Sequence, residues 1–243
     1  VRFDLCSKEK TGFPLSFRVL AKEEMTDSIT VETKPIASEP ASHTPIIRVP
    51  RQRRVRRDRR TDILQTLAVL LEDPHCDRIT TAQIAKKLDL SEAALYRSFS
   101  SKGAMFDGLI EFIESSLLDL FAQIRADEKL TNVAKIQVMT SVMLDFADAN
   151  RGLTRVMTGQ VLMKEDPKLT ERMTRVIESL ETGLRQAYRE AVLAGELPAD
   201  FNSSARASLV MNWVTGRWLR FVLTGFKTRP NGVSPVTLEP FFA

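Results

Sequence analysis

Residues 78–117, RITTAQIAKKLDLSEAALYRSFSSKGAMFDGLIEFIESSL, hold two short amphipathic segments, about 81–88 and 92–99, separated by three residues. Thr80 is a suitable N-cap for the first, and Gln83 three residues later completes a capping box. Ile84, Ala85 and Leu88 fall on its inward face, and Ala85 is small, as two steeply crossing helices require where they meet. Leu88, Asp89 and Leu90 make the turn, with Asp89 at the position that must accept a left-handed backbone. Ser91 caps the second helix, and Leu90 before that cap pairs with Leu95 as a hydrophobic staple. Leu95 and Phe99 point back to the core, which leaves Glu92, Ala93, Ala94, Tyr96 and Arg97 for the outer surface. The pattern is a helix-turn-helix, a device that lays its second helix in the major groove of DNA.

Roles follow from residue chemistry. Ala93 and Ala94 are small enough for close approach and suit thymine methyl groups, with Ser91 at the same leading end. Tyr96, Arg97 and Lys102 suit phosphate oxygens. Thr80 and Thr81 stand at a helix N-terminus, whose free amides favour an anion. Upstream, residues 48–60 carry arginines at 48, 51, 53, 54, 56, 57, 59 and 60 against Asp58 alone, a local charge of +7. The chain totals +4, so everything else sums to −3, and the basicity is confined to one end. Arg53, Arg54, Arg56 and Arg57 are expected to form an arm along the backbone or minor groove.

The rest of the chain divides around this head. In residues 1–50, Pro35, Pro40, Pro45 and Pro50 recur among Ser, Thr, Glu and Ala, which predicts a disordered extension. Met25 opens the stretch leading into it and is the expected translation start, with 1–24 a gene-boundary artefact. Helical periodicity then predicts segments at about 58–73, 103–126, 131–149, a short one after Gly152, about 167–195 and about 203–225. No strand pattern of useful length appears, so the class is all-α. The expected units are a head with its basic arm (51–102), a helical regulatory and dimerisation domain (103–228) and an irregular tail (229–243). Trp213 and Trp218 exceed what one core stripe needs, and Gly216 permits close approach, so these three are expected at a four-helix dimer interface with the preceding long helix.

Several function classes are disfavoured. No apolar run approaches the roughly 18 residues of a membrane-spanning helix, and no export signal is evident at the start. Cys6 and Cys76 lie far apart and are expected to be free thiols. His75 beside Cys76 is a possible dyad, but neighbouring loop side chains rarely align for proton transfer and no orienting third group is evident. The cysteine and histidine spacing does not suit zinc, no Gly-rich phosphate loop appears, and no cofactor is implied. The expectation is a non-enzyme. A repressor released from DNA by a small ligand would need a partly polar pocket among the fifth to seventh helices; a collapsed interior would favour a protein partner instead.

Within 78–117, the threonine-capped first helix, the Ser-x-x-x-Leu-Tyr-x-x-Phe run of 91–99 and the Phe-x-x-Lys of 99–102 resemble the DNA-binding head of TetR-type regulators. The string SEAALYRSFSSK…MFDGLIEFIESSL, with NRGLTRVMTGQVLM (150–163) and RFVLTGFKTRP (220–230), is similar to the nucleoid occlusion subfamily SlmA. The similarity covers about residues 56–230. It implies an all-helical homodimer, cytoplasmic and nucleoid-associated, that binds dispersed palindromic sites in double-stranded DNA. It further implies that the bound form antagonises polymerisation of FtsZ, the tubulin-like division protein. By the same resemblance Phe112, Asn150 and Arg151 are expected near the FtsZ contact. Asp89 stands where the family usually has Gly and Ser100 where it often has Pro, departures that would shift the reading helix slightly.

Overall fold

The computed structural model describes residues 59–75 and 78–232. The extension, the Met25 start, the arm residues Arg53, Arg54, Arg56 and Arg57, both cysteines and the tail beyond Gly232 lie outside the described residues. What is described is helical throughout: α1 (Arg59–Leu70), α2 (Thr81–Leu88), α3 (Glu92–Tyr96), α4 (Lys102–Ala126), α5 (Asn132–Ala149), α6 (Arg151–Met157), α7 (Pro167–Leu193) and α8 (Ser203–Leu223).

The local signals act where they stand. Thr80 and Gln83 form both halves of the capping box, Asp89 adopts φ 54° and ψ 46°, and the Ser91 side chain accepts from the Ala94 N–H. Periodicity overextends two helices. The first stops at Leu70 rather than near 73. The helix expected over 92–99 stops at Tyr96, because the Ser98 N–H bonds back only three residues to the Leu95 carbonyl and tightens the turn. Phe99 is still carried into the core with Ile63, Leu67, Ile84 and Leu95, all nearly inaccessible.

α4 runs from this head into the body, burying Phe106, Leu109, Ile110 and Ile113 before Leu117, Phe121 and Ile124. There it meets α5 and α7, and α8 closes the bundle with Trp218, whose indole N–H donates to the Met143 carbonyl at 3.1 Å. α8 ends in a Schellman turn: the Phe226 N–H reaches the Phe221 carbonyl and Gly225 supplies φ 59°. The chain then folds back as a strap. Arg217 donates to the carbonyls of Arg229 and Pro230, Arg229 pairs with Asp148, and Asn231 donates to Asp145 at 2.8 Å. The irregular segment expected from residue 229 is thus fastened to α5 as far as it is described.

Head and body are joined by α6. Gly152 lies so close to α1 that a Cβ there would fall 2.0 Å from the Ala68 carbonyl oxygen. One turn on, the buried Arg155 guanidinium donates to the carbonyls of Leu71 (3.2 Å) and Asp73 (2.7 Å), groups left without helical partners past the end of α1. Lys102 adds an ion pair to Glu165 in the α6–α7 connection. At the far end of the bundle, Glu196 caps α5, accepting from the backbone N–H of Asn132 and Val133 at 2.9 and 2.8 Å.

Gly152→Ala should cost at least about 2 kcal/mol in urea unfolding, because backbone rather than a flexible side chain would have to move. Glu196 gives a pH signature. Partial burial opposes its ionisation, but the Val133 and Asn132 amides outweigh that and hold its carboxyl below the ordinary value. A depressed carboxyl stabilises the fold above the ordinary carboxylate range and loses that contribution as pH falls through its folded value. Glu196→Gln should therefore be less stable than wild type at neutral pH, with the difference closing in acid, read by thermal unfolding across pH.

Candidate nucleic-acid interface

α2 and α3 meet over Ala85 and Leu95, and the turn between them presents the start of α3 to solvent. Exposed there are Thr80, Ser91, Ala93, Tyr96 (47% accessible) and Arg97, all expected on this surface. They form one polar and basic edge around a small residue, a shape that admits a helix to a groove.

Three expected contacts are placed differently. Ala94 is buried, because positions 94 and 95 share the inward side with 98 and 99 one turn later, so its methyl packs inside. Lys102 is half-buried: as the first residue of α4 its charge opposes the helix dipole, and Glu165 at 2.5 Å compensates it. Its ammonium also lies 5.7 Å from the centre of the Phe106 ring, so this cation joins elements instead of facing phosphate. Thr81 donates its hydroxyl hydrogen to Glu92 at 2.5 Å, leaving only its backbone amide for an anion. Arg60 shows that the arginine cluster is not uniform: it donates to the Ser98 carbonyl at 2.7 Å and lies 4.2 Å over the Phe99 ring, bracing α1 against the end of α3. Its helical spacing to Ile63 and Leu67 was the available signal.

The second expected surface is also divided. Arg151 is exposed, 5.8 Å from the Phe226 ring, and Phe112 is half-buried against the core. Asn150 is buried and turns inward: its amide donates to the Phe146 carbonyl at 2.8 Å, and its own carbonyl receives the Thr154 N–H and hydroxyl. It joins α5 to α6, and its side chain is spent on that junction.

Trp218 is likewise core, wholly inaccessible, which corrects its assignment to a dimer face. Five residues separate it from Trp213, a rotation of about 140° around a helix, so the two rings cannot share a side. Trp213 is half-buried, Gly216 is exposed with open space beyond it, and Leu209, Leu219 and Leu223 continue the same outward stripe.

Behind these surfaces the body is packed. Met139, Met143, Met173, Val176, Leu180 and Tyr188 fill the space between α5, α7 and α8. Burial raises the Tyr188 phenol well above its ordinary pKa, with Arg206 opposing. Two hollows, about 360 and 290 Å³, open to solvent at the start of α8 and between the starts of α4 and α7. Among the described residues no group of three His, Cys, Asp or Glu could hold a metal, and no helix is long and apolar enough to cross a membrane.

Residues 63–109 match the family of bacterial regulatory proteins of the tetR type, and residues 129–238 match the SlmA-like "Tetracyclin repressor-like, C-terminal domain". Nucleoid occlusion factor SlmA of Aliivibrio fischeri is 42% identical over 174 residues, 71% of this chain and 88% of the relative. That of Sodalis glossinidius is 44% identical over 176 residues, 72% of this chain and 88% of the relative.

The chain belongs to the SlmA family.

Among solved structures, the transcriptional regulator FadR from Bacillus subtilis, in complex with stearoyl-CoA, superposes with a TM-score of 0.62 at 15% identity, covering 75% of this chain and 97% of that one. The TetR family regulator PfmR from Thermus thermophilus gives 0.55 at 18% identity, covering 70% and 92%. At these identities the likeness is one of fold, and it establishes the helical TetR architecture of head and body.

The two α8 positions are separable by experiment. Trp218→Ala should lose about 3–5 kcal/mol in urea unfolding, as a large buried ring requires. Leu219→Ala, on the exposed stripe, should change the stability of the isolated subunit by less than about 1 kcal/mol.

Proposed function

We propose that this protein is a nucleoid occlusion factor. It binds palindromic double-stranded DNA sites dispersed over the chromosome as a homodimer and, so bound, antagonises FtsZ polymerisation, keeping the septum from closing over the nucleoid. The observation that carries this reading is identity above 40% to nucleoid occlusion factors over 71–72% of this chain. Its site of action is the nucleoid in the cytoplasm, and its chemistry is recognition rather than catalysis.

The head supports DNA binding through the exposed edge of Thr80, Ser91, Ala93, Tyr96 and Arg97, with Arg53, Arg54, Arg56 and Arg57 as the arm. A two-fold dimer would set two such helices one turn of DNA apart, matching a palindrome. Its interface is the α8 stripe of Leu209, Trp213, Gly216, Leu219 and Leu223. A helix-interior glycine costs about 1 kcal/mol relative to alanine, and close approach of a second subunit gives Gly216 a use. The filled interior between α5 and α7 weighs against release by a small ligand. FtsZ is then met by the outer surface, with Arg151 and Phe112 as contacts and Asn150 shaping the turn that displays Arg151.

Chromosomal immunoprecipitation with sequencing tests the whole. Many dispersed palindromes, and FtsZ polymers that shorten only when a palindromic duplex is added, are expected; one site beside a single operon would point to an ordinary repressor. Arg97→Ala should weaken all duplexes about equally and lower the slope of log K against log salt by about one. Leu219→Asp should sediment as a monomer and bind the palindrome far more weakly.

A further inference from the structure

We infer that Glu92 reads cytosine in the major groove and that Thr81 is the positioning residue that holds it in the reading orientation; this rests on the DNA-binding reading above. Glu92 is the first residue of α3, directly after the Ser91 cap, and it is exposed. It is the only acid in that helix. A carboxylate on a surface that meets a polyanion is repelled by phosphate and so lowers affinity for any duplex. An acid in a first helical turn has a stabilising role of its own, but that role needs no fixed side chain. Here the side chain is fixed: its Oε2 accepts the Thr81 hydroxyl at 2.5 Å, across the angle between α2 and α3. Ordering the carboxylate before DNA arrives removes that entropic cost from the binding step.

An ionised carboxylate only accepts hydrogen bonds. In the major groove the donors are the N4 amino group of cytosine and the N6 amino group of adenine. Adenine sets its N7 acceptor beside that amino group, where it repels the second carboxylate oxygen. Cytosine presents a C–H there and does not. With Oε2 held by Thr81, Oε1 is the atom that meets cytosine N4. Ala93, exposed beside it, keeps the approach open. The same charge rejects guanine O6 and N7 and thymine O4, so one residue both selects and excludes.

The test is selection of binding sites from randomised duplexes at fixed salt by the full chain and its Glu92→Gln, Glu92→Ala and Thr81→Val variants, with folding checked by circular dichroism. Wild type should enrich a palindrome with cytosine at one symmetric position, discriminated about tenfold or more per half-site. Glu92→Gln, whose amide oxygen still accepts from Thr81, turns an NH2 donor to the base and should shift that position away from cytosine, towards bases that present acceptors. Glu92→Ala should leave that position within about twofold of random while the others persist. Thr81→Val should weaken the same preference and no other. Unchanged motifs in Glu92→Gln and Glu92→Ala, or an even loss at every position, would overturn the inference and leave the contact an interhelix staple. If wild type itself enriches no motif, the sequence-specific DNA reading fails first, a result visible before any variant is compared.

Discussion

The clasp of α6 on the end of α1 is the constraint on which the rest of the molecule depends. A helix-turn-helix needs a third helix to stand on, and that helix must be oriented relative to the body for two heads to face one duplex. Here α1 is that third helix, and the seven-residue α6 orients it. Gly152 lets the backbones touch, and Arg155 donates to the carbonyls just past the end of α1. A guanidinium that is 3% accessible would be costly alone; satisfied by Leu71, Asp73 and Gln160 it becomes a connector with a fixed geometry. Asn150 carries the register onward, because its amide locks α6 to the last turn of α5. The end of α8 adds a second hold, with Gly225 packed near Pro74 in the turn after α1.

Features that depend on neighbours in sequence were legible from the residues alone. The capping box of Thr80 and Gln83, the left-handed Asp89, the Ser91 cap and the Pro167 start of α7 each follow from groups within a few residues. Features set by distant partners were not. Lys102 finds Glu165 sixty-three residues away, and nothing in the Phe-x-x-Lys spacing announces that pairing. The roles of Arg155 and Gly152 depend on backbone atoms in α1 and just past its end, which no side-chain pattern encodes. Trp218 is a different failure. Two tryptophans were credited to one surface although helical rotation alone puts them on different sides, and Ala94 yields to the same geometry.

Charge is partitioned in a comparable way. The arginine cluster looks uniform as text, yet Arg60 is spent on the Ser98 carbonyl and the Phe99 ring, fixing where α3 ends. Arg60, nearest the core, thus becomes a strut. The Thr81–Glu92 pair places a negative group at the front of the basic head. Non-specific attraction falls steeply with salt and does not distinguish sequences; a repulsive group at the leading edge lowers that background, and only a matching base returns the loss. Specificity is a difference between affinities, and this arrangement acts on the unwanted one.

A packed body has consequences for how such a head could control anything. Regulators that open or close around a small molecule store two arrangements of their interior, which requires space or a removable occupant. With Met139, Met143, Met173 and Trp218 filling the bundle, little interior rearrangement is available at low cost. On the proposed function, control operates between surfaces: the face offered to DNA, the α8 stripe offered to a second subunit, and the α5–α6 turn with Arg151. α6 belongs to the last of these and also clasps α1, so that turn and the head share one connector. In that geometry DNA need not change the protein's shape to matter. On the proposed reading, fixing several dimers along a chromosome would raise the local concentration of their outward surfaces, and avidity would supply the switch.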